Sequence, residues 1–329
     1  MRIAATGSLF RAATLAAIVL GLTAFVPPAA ARSVVRSTPT RNGVVRRVAT
    51  GNGVPAFSHV FVVVMENLGY QSTLGTPGFA ALARRYALAT NYYSVAHPSL
   101  PNYLALTSGS TWGITSDCVE CYVNEPNLAE QLHEAHVSFA AYMEGAPRRC
   151  FLADYGGNDY ASKHDPFRYY DDVRASRALC DAIEPEDELP RLLSGPEKSV
   201  PRFVWVTPNL CHDGHDCAPS TAAAWLDRFV NEVTKSSAWR DNGVVFVTWD
   251  ESEGSDSTVA PTNRVVACCG GGQVATFVIA PKLRPDLRVN VAYSHYSLLA
   301  TIEDAFRLPL LQNARRATPL SAFFDTRSP

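Results

Sequence analysis

Three short stretches run from apolar residues into side chains that are costly to bury without a partner. FVVVMEN ends in Glu66 and Asn67, PNLCHDGHDC holds His212, Asp213, His215 and Asp216, and VVFVTWDE ends in Asp250 and Glu251. One acidic strand end is most often a surface cap. Three gathered on one rim repel one another unless a cation or a shared proton compensates. Carboxylate and amide oxygens are hard ligands suited to a divalent cation, and nearby imidazoles add affinity for a transition metal. A fourth stretch, HPSLPNYLALTSG, supplies a hydroxyl: Ser99 lies between Pro98 and Pro101 and is followed by Asn102. A serine at a helix amino terminus faces unpaired N–H groups, which make a ready anion site, although such a serine can also be no more than an N-cap. The chain has no G-x-S-x-G elbow, no Walker loop and no G-x-G-x-x-G, which disfavours a serine esterase of the α/β-hydrolase type.

The elements that must position these groups are legible as periodicities. Apolar runs of strand length occupy residues 59–66, 137–144, 202–209, 244–250 and 274–280. None alternates cleanly. Between them, PGFAALARRYALAT places Phe79, Leu82, Ala83 and Tyr86 at helical spacing behind Pro77, and STAAAWLDRFVNEVTK does the same with Leu226, Phe229, Val230 and Val233. Residues 102–109 read as a further helix stopped by Gly109. Unalternating strands separated by amphipathic helices predict an α/β fold: a mainly parallel central sheet with helices on both faces. In such a sheet, ligands bind beyond the carboxyl ends of the strands, where the acidic residues fall. Residues 145–200 are rich in Asp, Tyr and Pro and read as an inserted lid rather than a second domain.

Arg2 and Arg11, the apolar stretch 12–26 and Ala29-Ala30-Ala31 have the pattern of a secretory signal peptide cut after Ala31. Residues 32–56 form a basic leader with five arginines in 32–47, read as a solvated tail, and residues 57–329 a single catalytic domain. No later segment reads as transmembrane, so export to the extracellular space or cell envelope is expected. The formal net charge of −2 gives no pull towards nucleic acid or anionic lipid. Eight cysteines in an exported chain suggest disulfides. Cys118-x-x-Cys121 lacks the second CxxC of a zinc ribbon, Cys211–Cys217 is the bridge expected first, and adjacent Cys268 and Cys269 leave their pairing open.

VVVMEN, HPSLPNYLALTSG, HDGHD, TWDE and SHYSLLATIEDAF occur in an order that resembles a bacterial phosphoesterase family of secreted acid phosphatases and phospholipases C, part of the alkaline phosphatase superfamily. The resemblance spans roughly residues 57–308 and is poor over 110–200. It implies an alkaline-phosphatase-like fold with Ser99 as nucleophile and with Glu66, Asn67, Asp250 and Glu251 around a divalent metal of unknown identity. One metal and two remain open. His215 and His295 would contact the phosphoryl group or act as acid and base, and Asn102, Asp213 and His97 would face the substrate. For some of these the residues allow other roles: Asn67 as a strand-end turn residue, His97 as a loop anchor, and His212 and Asp213 as metal ligands or as orienting groups for His215. His133 and His136 lack the HExxH spacing and read as solvated, His164 has no companion motif, and Glu253 and Asp256 read as solvated loop residues.

The leading expectation is a secreted acid phosphatase acting on phosphate monoesters, phosphoinositide phosphates among them. A phospholipase C-type phosphodiesterase is the enzymatic alternative. An exported module that only binds phosphorylated ligands is the non-enzymatic one. Its difficulty is that Ser99, Glu66, Asp250 and Glu251 are all present.

Overall fold

The computed structural model describes residues 53–154, 157–254, 256 and 270–325. The expected signal peptide, most of the basic leader, and Cys268 and Cys269 lie outside the described residues. Nine strands form one sheet among the described residues: β1 Val60–Met65, β2 Ala87–Tyr93, β3 Phe139–Met143, β4 Ile183–Pro185, β5 Phe203–Thr207, β6 Val244–Trp249, β7 Gln273–Ile279, β8 Arg288–Val289 and β9 Tyr293–Ser294. The order is β4-β3-β5-β1-β6-β7-β2-β8, with β9 also on β2. β1 pairs in parallel with β5 on one side and β6 on the other, and all six of its residues are buried. That central position explains the unalternating VFVVVM. β7 runs against both β6 and β2, so it is the one reversed strand and β2 shares the direction of β1. All five expected strands are present. β2 was hidden, because ALATNYY continues the helical run before it without a Gly or Pro to mark the boundary.

Register shows which helices cover which face. Trp205 pairs with Val62 and Trp249 with Met65, an odd offset along β1, so the two indoles point to opposite faces. Phe79, from the helix Pro77–Arg85, meets Trp249 edge-on with ring centroids 5.0 Å apart. Tyr103, from the helix Ser99–Ser108, lies 6.3 Å from Trp205, and Phe306, from the helix His295–Phe306, lies 6.4 Å from Phe203 on that same face. Helices therefore cover both faces. Residues 145–200 carry short helices and β4, which extends the sheet beyond β3. Bridges join Cys118–Cys121, Cys150–Cys180 and the expected Cys211–Cys217. Among the described residues no helix is long and apolar enough to cross a membrane.

One buried acid bears on stability rather than chemistry. Glu303 in the last helix is fully buried; Oε1 accepts the Leu311 N–H at 2.8 Å while Oε2 has no partner. Burial pushes its carboxyl up to about 9, against the Leu311 hydrogen bond that lowers it. A carboxyl raised in the folded state lends stability that is complete below its unfolded value and is lost as the pH climbs towards the folded one. Wild-type stability should therefore fall by up to about 1.4 kcal/mol per pH unit between about pH 5 and about pH 8 relative to Glu303→Gln. Denaturant midpoints across that range measure it, and parallel curves for the two proteins would contradict it.

Candidate active site

The parallel frame brings the carboxyl ends of β1, β2, β5 and β6 to one edge. β1 delivers Glu66 and Asn67, and β6 delivers Asp250 and Glu251. Two backbone bonds lock these ends together: Asp250 N–H to Met65 O at 2.9 Å, and Glu66 N–H to Asp213 O at 3.1 Å. β2 leads through residues 94–98 into the helix Ser99–Ser108, which places Ser99 at the first helical position beside Glu66. Gly109 stops that helix at φ 74°, where a Cβ would fall 2.9 Å from Leu311 O.

Asn102 holds the approach to the serine. Its Oδ1 accepts the Val95 and Ala96 N–H groups at 2.8 and 2.9 Å, and its Nδ2 donates to Ala96 O and Pro98 O at 2.8 and 3.2 Å. That is the full capacity of an amide, so a substrate contact by Asn102 would have to break one of these bonds.

Ser99 is buried, and its Oγ donates to Glu66 Oε2 at 3.1 Å. The other oxygen of Glu66 accepts Tyr103 Oη–H at 2.6 Å and lies 3.1 Å from His164 Nε2. His164 Nδ1 lies 3.3 Å from Asp213 Oδ2, and the ring stacks on Tyr103 with centroids 5.3 Å apart. Neither ring nitrogen points along a hydrogen-bond axis, so these contacts are mainly Coulombic. Burial alone would raise Glu66 and lower His164; their opposite charges outweigh it, holding Glu66 ionised and His164 protonated. Burial drives Asp213 up to about 6 despite His164.

The other half of the rim carries uncompensated charge. Asp250 is buried; its Oδ1 accepts the Asn67 N–H at 3.2 Å, and its Oδ2 has no partner. Burial, then Glu66 and Glu251, drive its carboxyl well above the usual range. Glu251 is raised to about 7 by burial against the pull of His97, whose Nδ1 lies 2.6 Å from Glu251 Oε2. With the amide of Asn67 oriented to satisfy both its ends, Nδ2 donates to Glu66 Oε2 at 3.3 Å and Glu251 Oε1 at 3.0 Å. No ready-made set of three His, Cys, Asp or Glu ligands is formed among the described residues. Yet an orphaned buried carboxylate oxygen beside two further acids and an amide is the donor chemistry a hard divalent cation takes.

His295 is buried deeper than its expected acid–base role suggests. Its Nε2 donates to Asp250 O at 2.6 Å, Nδ1 accepts from Tyr92 Oη at 3.1 Å, and burial lowers it to about 4. A neutral imidazole engaged at both nitrogens braces Asp250. His215 is partly exposed, with Nδ1 2.6 Å from Asp216 Oδ1 and its backbone N–H on Asp213 Oδ1 at 2.8 Å. His212 turns away, onto Glu144 Oε1 at 2.7 Å and against Trp225. His97 both touches Glu251 and anchors its loop through Nε2 to Asp256 O at 2.8 Å.

Two expectations of solvated residues are corrected. Glu253 Oε2 accepts the Gly69 N–H at 3.0 Å, and Asp256 accepts from His97 Nε2 through its backbone carbonyl and from the Gln273 N–H through Oδ2. His133 and His136 are exposed, as expected. The group missed from sequence is His164, with Lys163 and Tyr103. Nothing in the spacing links position 164 to Glu66, and only the proximity of Tyr103 to Ser99 along one helix was there to be read.

The described residues therefore bring Ser99, Glu66, Asn67, Asp250, Glu251, His97 and Asp213 to one edge, with His215 at its margin. Among known proteins, the chain is 30% identical over 82% of its length, and 84% of the relative's, to a phosphatidylinositol-3-phosphatase of Mycobacterium tuberculosis. It is 28% identical to an acid phosphatase of Aspergillus fumigatus over 78% of its own length and 56% of that protein's. The chain thus spans little more than half the length of the fungal acid phosphatases it matches. In fold it resembles a protein in the alkaline phosphatase superfamily from Vibrio parahaemolyticus, with a TM-score of 0.50 at 16% identity over 79% of this chain and 68% of that one. A sequence model of the Phosphoesterase family matches residues 57–309, and the chain belongs to that family.

Proposed function

We propose that the protein is an exported phosphoric monoester hydrolase of acid phosphatase type that uses Ser99 as its nucleophile. The observation that carries this reading is a buried serine hydroxyl at a helix start, 3.1 Å from a carboxylate oxygen within a cluster of further acids. The relatives named acid phosphatase and phosphatidylinositol-3-phosphatase support the reaction class. Three disulfides fit an oxidising compartment, in line with the signal-like amino terminus.

The residues would divide the work as follows. Glu66 Oε2 accepts the Ser99 proton in a hydrogen bond and so aims the remaining lone pairs of Oγ at an incoming phosphorus. Tyr103 and His164 hold Glu66 in that pose, and Asn102 holds the loop that leads to Ser99. Glu66, Asn67, Asp250 and Glu251 would hold a divalent cation, which lowers the pKa of the hydroxyl and neutralises charge on the phosphoryl oxygens. As Oγ attacks, its proton passes to Glu66 Oε2, the Ser99 phosphoester forms and the bond to the leaving oxygen breaks. His215, oriented by Asp216, protonates that oxygen. Water then cleaves the phosphoserine, releasing phosphate and restoring Ser99.

Purified protein should release p-nitrophenol from the monoester at least about tenfold faster than from bis-p-nitrophenyl phosphate, as expected of a site built for a terminal phosphate. Both substrates are to be compared at several pH values with one preparation. Faster release from the diester, or diacylglycerol from phospholipid, would transfer the assignment to a phospholipase C-type enzyme.

A further inference from the structure

Asp117 reaches the site from a loop that the reaction scheme above leaves unused. Its Oδ1 accepts the backbone N–H of Leu100 at 2.9 Å, and its Oδ2 accepts from Lys163 Nζ at 3.0 Å. Each contact has a structural reason. Leu100 directly follows Ser99 and carries one of the helix's unpaired amino-terminal N–H groups. The N-cap residue is Pro98, which makes no side-chain cap bond, so an aspartate from elsewhere in the chain supplies the cap. A carboxylate there is also favoured by the helix dipole. Lys163 precedes His164 and stands near enough to Glu66 and Asp250 for their charges to act on it. The loop itself is tied down. Cys118 is bridged to Cys121, and Val119 O accepts Arg168 Nη1 at 3.1 Å, with Arg168 buried and bonded to Leu152 O at 2.8 Å.

Resting on the phosphatase reading, we propose that Asp117 is a positioning residue with two separable actions. Oδ1 fixes the first helical turn and hence the direction of Ser99 Oγ. Oδ2 masks the Lys163 ammonium at the rim, the charge that would otherwise meet a dianionic phosphate. The two actions predict opposite kinetic signs. Asparagine keeps an oxygen for the Leu100 N–H but releases Lys163 and removes one negative charge from the rim. Alanine abandons both. A nucleophile displaced by about 1 Å loses about 100-fold in rate, whereas a partly exposed ion pair changes affinity by only about two- to fivefold.

The test uses p-nitrophenyl phosphate and the full exported chain. Asp117→Ala should lose about 100-fold in kcat, while Asp117→Asn should keep most of kcat and lower KM about two- to fivefold. That fall in KM should vanish on a Lys163→Gln background, as a double-mutant cycle would show. Replacing both Cys118 and Cys121 with serine leaves Asp117 in place but slackens its loop, and should shift kcat towards the alanine value. This second variant decides the matter if Asp117→Ala does not fold. Unchanged kcat in Asp117→Ala, equal losses in the Asn and Ala variants, or lowered melting temperatures with intact kinetics would each overturn the role of Asp117. A wild-type protein inactive on phosphate esters would instead overturn the phosphatase reading itself.

Discussion

Ser99→Ala is expected to fold and to lose on the order of 10³-fold or more of its turnover, the scale seen when a nucleophile that works within a unit is removed. The fold should survive because the hydroxyl makes one bond, to Glu66 Oε2, and Glu66 keeps Tyr103 Oη and His164 on its other oxygen. Loss of a single hydrogen bond costs about 1 kcal/mol. The helix start does not depend on the side chain either, since Asn102 ties down residues 95–98 and Asp117 caps Leu100. Trapping of a phosphorylated protein after a rapid acid quench gives a second readout: labelled phosphate should stay on the wild type and not on the variant. A folded Ser99→Ala protein with near wild-type turnover would remove Ser99 from the mechanism.

Much of this arrangement was legible because it follows from position along the strands. An apolar run buried on both sides has to be central, and its first polar residues then fall at the carboxyl edge of the sheet. Glu66 and Asp250 were readable for that reason. The place of Ser99 at a helix start was readable from Pro98, Pro101 and the helix stop at Gly109. Its expected role as nucleophile came from the family resemblance and not from the spacing, which an N-cap serine fits as well. What stayed hidden depends on tertiary approach. His164 and Lys163 come from residues 145–200, where short turns leave no periodicity, and their link to Glu66 exists only because that segment folds back beneath the rim. His295 illustrates a subtler difficulty. A histidine at a helix start can be an acid–base group or a neutral brace, and burial with both nitrogens engaged decides for the brace. The same holds for Asn102, whose amide could not be assigned to loop or substrate until its four partners were known.

Asp250→Asn should exchange function for stability, and the exchange has a sign that can be measured. Asp250 is buried with Oδ2 unpartnered, and Glu66 and Glu251 are close enough to repel it. Without a cation that repulsion is a cost of folding. Asparagine keeps the oxygen that accepts the Asn67 N–H and replaces the orphaned oxygen with an amide donor beside the two acids. In chelator, the variant should therefore melt above the wild type. Added divalent cation should reverse the order: a ligand that binds only the folded state at about 100 times its Kd contributes about 2.7 kcal/mol, and the variant would forgo most of that gain. Turnover should fall with it, on the order of 10²-fold or more, because the charge at the developing phosphoryl oxygens is no longer neutralised. Melting curves of both proteins, chelated and with a titrated series of divalent cations, are to be read alongside activity and elemental analysis. Melting curves that keep the same order with and without cation, together with full activity in metal-free wild type, would exclude a cation at this rim. Phosphoryl transfer would then rest on Ser99, Glu66 and His215 without a metal.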